Sequence, residues 1–240
     1  LGGIYVIGND IDFTDYTGTD SVITGTFNGK IDGQGHTLSN LTNLSLFNVF
    51  NGTVENLSIK NFSNIRSNTS DYANAFAKQT NGATLRNMRF EKITLAGRHN
   101  VAVISGQDKS NSTFENISVK DANVNATGVY ASTFIGRKYS GSIKNVFVQG
   151  ILEVKTTENG GVVGAMQEGG TIENVVSRVN IYKTGNTYSP VANSEFNGGI
   201  VGNIYNTPTI KNSIALGRKN TLQIYRSYCS ANQSNNKKLL

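Results

Sequence analysis

The chain has 240 residues, 37% hydrophobic and 16% charged, with 26 glycines; this is enough for one sizeable core but too poor in apolar and charged residues to read as helical. Of the net charge of +6, five units come from Arg218, Lys219, Arg226, Lys237 and Lys238, beyond the last acid Glu195, so residues 1–217 carry only +1 and show no basic stripe for a nucleic acid. The single cysteine, Cys229, excludes an internal disulfide or multi-cysteine metal site, and no apolar run of 18 residues is present to span a membrane.

The chain opens at Leu1 without a start Met or signal-peptide pattern and is expected to be a piece of something larger. Ile4-Tyr5-Val6-Ile7 and Ile11-Asp12-Phe13 read as strands, and Gly25–Ile31 leads into the turn Asp32-Gly33-Gln34-Gly35. Residues 1–43 are expected to form an irregular first coil or cap. Asp10, Asp12, Asp15 and Asp20 cluster here; calcium or sugar binding is one reading, and an acidic turn segment is the reading adopted.

From residue 44 the chain repeats itself. GTVENLSI at 52–59 returns as ATLRNMRF at 83–90, STFENISV at 112–119, GSIKNVFV at 141–148, GTIENVVS at 170–177 and PTIKNSIA at 208–215. The shared residues Asn56, Asn87, Asn116, Asn145, Asn174 and Asn212 lie 31, 29, 29, 29 and 38 apart, a solenoid period. Apolar residues stand two before each Asn and, in most copies, one and three after it, so the strand alternation changes phase at the Asn. A straight strand cannot do this, whereas a bend at a residue that tolerates left-handed backbone can. Stacking the bends places the amides in reach of one another as a ladder.

The residue before each Asn alternates in sign, as Glu55, Arg86, Glu115, Lys144, Glu173 and Lys211, so stacked coils place every acid beside bases. A second strand precedes each copy, for example SLFNVFNG, VAVISGQD, ASTFIGRK and GGVVGAMQ. Ile151–Val154 and Val179–Tyr182 leave room for a third. The fold predicted for 44–217 is all-β: a right-handed parallel β-helix, its hand taken from the crossover rule. It should have about 29 residues per coil and roughly seven coils, a rod of roughly 34 Å. The insert Thr184–Asn197 is the expected binding loop. Residues 218–240 read as an atypical basic tail, either disordered, part of a following domain, or a truncation scar.

Little catalytic chemistry is visible. His36 and His99 have no metal-ligand neighbours in sequence, H-E-x-x-H is absent, and Cys229 lies in the tail. The tyrosines are scattered, and no stacking platform stands out.

LFNVFNGTVENLSIKN, GGVVGAMQEGGTIENVVSRVNI and GGIVGNIYNTPTIKNSIALG resemble the region preceding the catalytic domain in streptococcal IgA1 proteases and related zinc metalloproteases of peptidase family M26. GGIVGN and GGVVGA also resemble the GLUG repeat of bacterial surface proteins. The resemblance covers roughly residues 44–217. It implies an extracellular or cell-surface endopeptidase acting on host glycoproteins such as immunoglobulin A. The family's H-E-x-x-H and downstream Glu have no matching positions here, so no catalytic or metal residue carries over and zinc belongs to a separate catalytic domain. This chain would then be a spacer, a substrate platform or a dock, its partners being that domain and host immunoglobulin or another glycoprotein. The competing expectations are an adhesin that binds host protein or glycan, and a polysaccharide lyase or hydrolase with an outward acid cluster.

Overall fold

The computed structural model describes residues 1–183 and 197–217. The expected binding loop, except for Asn197, and the tail with Cys229 lie outside the described residues. Every described element is a strand, and the strands form a twelve-stranded sheet, a seven-stranded sheet and a short two-stranded one. Neighbouring strands pair in parallel, with Thr84, Leu85 and Arg86 opposite Thr113, Phe114 and Glu115, and these opposite Ser142, Ile143 and Lys144. The chain is therefore a parallel β-solenoid. Six turns carry the Asn motif, and the N-terminal residues add a shorter turn in which Asp32 lies opposite Glu55.

The expected third strand is present, set apart as Ser63–Ile65 in the first Asn coil and continuous with the preceding strand in the next four. Thr84–Gly97, Thr113–Ala126, Ser142–Val154 and Thr171–Lys183 each run through the Asn bend as one strand of 13 or 14 residues. Two left-handed residues bend each of the first two, Asn87 and Lys92, then Asn116 and Asp121, and pairing resumes beyond each bend, so all the arms stay in one sheet.

Alternation places Val54, Leu85, Phe114, Ile143 and Ile172 in one fully buried column. Each such side chain contributes roughly 1.5–3 kcal/mol on burial. The first coils are filled by rings: Phe27, Phe47, Phe50 and Phe76 contact one another at centroid distances of 4.8–5.4 Å. Later coils use Val162, Val163, Met166 and Ile172 instead. The interior is a continuous rod of side chains, and ligand chemistry is left to the outer faces.

Candidate functional site

The ladder asparagines sit at bends with φ of 58° at Asn56, 54° at Asn87 and Asn116, 53° at Asn145, 55° at Asn174 and 49° at Asn212. Asn87 donates its Nδ2 to Asn56 Oδ1 at 3.0 Å, Asn116 to Asn87 at 3.2 Å, Asn145 to Asn116 at 3.0 Å and Asn174 to Asn145 at 3.0 Å. Asn56 passes the chain on to Asp32 Oδ1 at 3.1 Å. A carboxylate only accepts, so it closes a ladder in which every amide donates toward the N-terminal end. Among the described residues, Asn212 makes no amide bond to Asn174.

On the charge stripe, Glu55 pairs with Lys30 at 2.6 Å and Arg86 at 3.7 Å, and Glu173 with Lys211 at 3.0 Å and Lys144 at 4.0 Å. Glu115 lies in register between Arg86 and Lys144. These exposed pairs contribute a few tenths of a kcal/mol each. Beside them runs a shallow trough of about 510 Å³ floored by Met88, Ile117 and Val146, with Phe147 and Arg89 on its wall.

A second ladder escaped the sequence reading. Asn61 donates to Asn40 at 3.2 Å and Asn40 to Asp12 at 2.9 Å, with φ of 54° and 64° at the two asparagines. The signal was present as Asp12-Phe13, Asn40-Leu41 and Asn61-Phe62, a polar residue followed by a large apolar one.

The N-terminal acids are divided among separate networks. Asp10 accepts from the Thr37 N–H at 2.9 Å and meets His36 Nδ1 at 3.1 Å; Asp12 serves Thr14 and Asn40; Asp20 pairs with Lys78 and Arg66. His99 Nδ1 accepts the Val129 N–H at 2.8 Å, a structural use. Among the described residues no three His, Cys, Asp or Glu side chains are grouped to hold a metal.

Three of these carboxyls are held below their ordinary value of 3.8: Asp10 by the Thr37 N–H and then His36, Asp12 by the Thr14 hydroxyl and then Asn40, and Asp32 by the Gln34 N–H and then Asn56. Lowered acids stabilise the folded state fully above their unfolded value and lose that contribution as pH falls through the folded one. The contribution of these three acids to thermal stability, measured against pH, should therefore be level above about 3.8 and fall below it. Asp32→Asn, which keeps an acceptor but cannot titrate, should shallow the fall.

Four of the tyrosines that are scattered in sequence, Tyr72, Tyr130, Tyr139 and Tyr205, gather in space, which corrects the sequence reading. On the outer side of the seven-stranded sheet Tyr72 donates to Gln107 Oε1 at 3.2 Å, and Gln107 donates to Tyr139 at 3.4 Å. The Arg137 guanidinium lies between the Tyr139 and Tyr130 rings, 5.0 and 4.9 Å from their centroids, and donates to Gln167 at 3.0 Å. Tyr205, 53% exposed, donates to Glu158, which also accepts from Asn203 at 3.1 Å. Burial and then the Glu158 carboxylate raise the Tyr130 phenol. Gly106 and Gly136 make this packing possible: a Cβ on Gly106 would stand 2.8 Å from the Tyr72 ring, and one on Gly136 2.5 Å from the Tyr130 carbonyl oxygen.

A second unforeseen feature lies inside the rod. Asp108 and Lys138 form a fully buried ion pair at 2.6 Å. Asp108 Oδ1 also accepts from Thr80 at 3.0 Å and from Ser112, and Lys138 Nζ lies 4.9 Å from the Phe114 ring centre. The pair sits in a register column with Phe50 and Thr80 before it and Met166 after it.

No family model and no curated relative matches the sequence. Among solved structures, the chain is similar to a crystal structure from Bacteroides ovatus, described as a "putative immunoglobulin A1 protease". The two are 17% identical with a TM-score of 0.59, over 88% of this chain and 72% of that one. At that identity the likeness establishes the shared solenoid fold.

The contact geometry then separates scaffold from surface. The ladders, charge stripe and buried pair bind coil to coil. The tyrosine face extends over successive coils with polar groups left over, and no helix among the described residues is long and apolar enough to cross a membrane.

Proposed function

We propose that this chain is a non-catalytic β-helix platform in a secreted or cell-surface zinc metalloendopeptidase of the IgA1-protease kind, family M26, where it presents host glycoproteins to a separate catalytic domain. The observation that carries the reading is the fold likeness to the Bacteroides ovatus protein over 88% of the chain, together with the repeat's resemblance to the region preceding that family's catalytic domain. Among the described residues no group is set to hold a catalytic zinc, and His36 and His99 are engaged in separate networks. A lyase or hydrolase would need paired outward acids, and Asp10, Asp12 and Asp20 are each tied to different partners. An adhesin would use the same solenoid without an enzyme attached.

Incubating the purified chain with immunoglobulin A1 and zinc should give saturable association and no cleavage. Cleavage abolished by a chelator would refute the non-catalytic role. Absence of association would refute the platform role. Reading the parent gene for an H-E-x-x-H with a downstream Glu separates protease from adhesin.

A further inference from the structure

We propose that the tyrosine face binds a neutral carbohydrate, with the Tyr72 and Tyr130 rings as stacking surfaces and Arg137, Gln107 and Gln167 as partners for sugar hydroxyls. It gives the platform a ligand class, but depends on that reading only for its biological setting.

The first argument is backbone strain. Tyr72 and Tyr130 have φ of 62° and 64°, and they are the only aromatic residues in this region of the map among the described residues. Bridges between Asn74 and Ala102, and between Ala102 and Ser132, place them at one stacked bend, with Asn100 at φ 57° in the coil between. Asn suits this bend, so packing the rod does not call for a ring there. A bulky residue held in a disfavoured region points to a use for its side chain.

The second argument is the residual polarity. Arg137 Nε, Gln167 Nε2 and Asn100 Oδ1 are buried and lack a hydrogen-bond partner, although buried polar groups are almost always paired. Their side chains are half-buried and stand on the coils that carry the rings or lie next to them, so a sugar hydroxyl pairs with these atoms once the side chains turn outward. The third argument is charge. Arg137 is matched by Glu158 on the same face, so the surface favours an uncharged, hydroxyl-rich ligand over an acidic one. Rings with an apolar face and a polar tip, set among amides and one guanidinium, are chemistry suited to a pyranose. Two coils separate the tyrosines by about 10 Å along the rod, a span that two linked sugar rings cover.

The test uses lactose, N-acetyllactosamine, cellobiose, mannobiose and sialyllactose, with saturation-transfer NMR and calorimetry on the chain. At least one neutral disaccharide should bind saturably, and Tyr130→Asn should weaken it at least tenfold while the melting temperature stays level or rises. Tyr5→Ala, at the far N-terminal end, should change nothing. The proposal is overturned if no neutral sugar binds, if only sialyllactose does, or if affinity survives Tyr130→Asn. It is equally overturned if Tyr130→Asn lowers the melting temperature, since the ring would then be a packing element. Free sugars are the probes, so failure to bind immunoglobulin leaves this result independent.

Discussion

Lys138→Met should destabilise the chain by about 3–5 kcal/mol, because it strands the Asp108 carboxylate, fully buried, without its cation. Burial pushes the Asp108 carboxyl up and the Lys138 ammonium down, while each partner's charge opposes the shift. Neither charge is comfortable alone. The loss should appear as a fall in melting temperature of roughly 6–20 °C, at about 2–4 °C per kcal/mol for a domain this size. Asp108→Leu combined with Lys138→Met should recover much of it, since replacing a buried pair by apolar residues is often neutral. Recovery should be incomplete, because the hydroxyls of Thr80 and Ser112 lose their carboxylate acceptor. Urea unfolding of the single and double variants decides the matter: a single-variant cost below about 1 kcal/mol would show that the pair is not desolvated as described.

Asn116→Ala should cost about 2–4 kcal/mol, from two sources. Holding Ala at φ 54° costs roughly 1–2 kcal/mol. Two amide bonds, to Asn87 at 3.2 Å and from Asn145 at 3.0 Å, are lost at about 0.5–1.5 kcal/mol each, toward the lower end because they are exposed. Asn116→Gly removes the bonds but not the conformation, so it should cost less than Ala despite greater unfolded-state freedom. If Gly proves as costly as Ala in denaturant titration, the amide bonds dominate and the bend conformation contributes little.

Much of the fold was legible because a solenoid writes its contacts periodically. Residues that touch recur at a fixed spacing, so the spacing of Val54, Leu85, Phe114, Ile143 and Ile172 alone marks them as one column. The phase change across each Asn likewise locates a bend. Whether the third strand stands apart was less legible, since sequence shows where alternation changes phase but not whether pairing continues through the bend.

The tyrosine face was harder to see because it is built from residues that repeat only in alternate coils. Its trace is Tyr72-Ala73-Asn74-Ala75-Phe76 and Tyr130-Ala131-Ser132-Thr133-Phe134, the same Y-A-x-x-F written 58 residues apart with a different coil between. Tyr139 and Tyr205 then join it through turns of unequal length.

By itself, therefore, the sequence determined the architecture: β-strands, the coil length and the parallel stacking follow from a motif whose apolar and left-handed positions recur in every turn. Only the tertiary structure decided which non-repeating residues meet. Asp108 and Lys138 look like solvent-facing charges until strand register turns both inward beside Phe114. Arg137, one residue away, is left outside between two rings. In a strand one residue is the whole difference between core and surface.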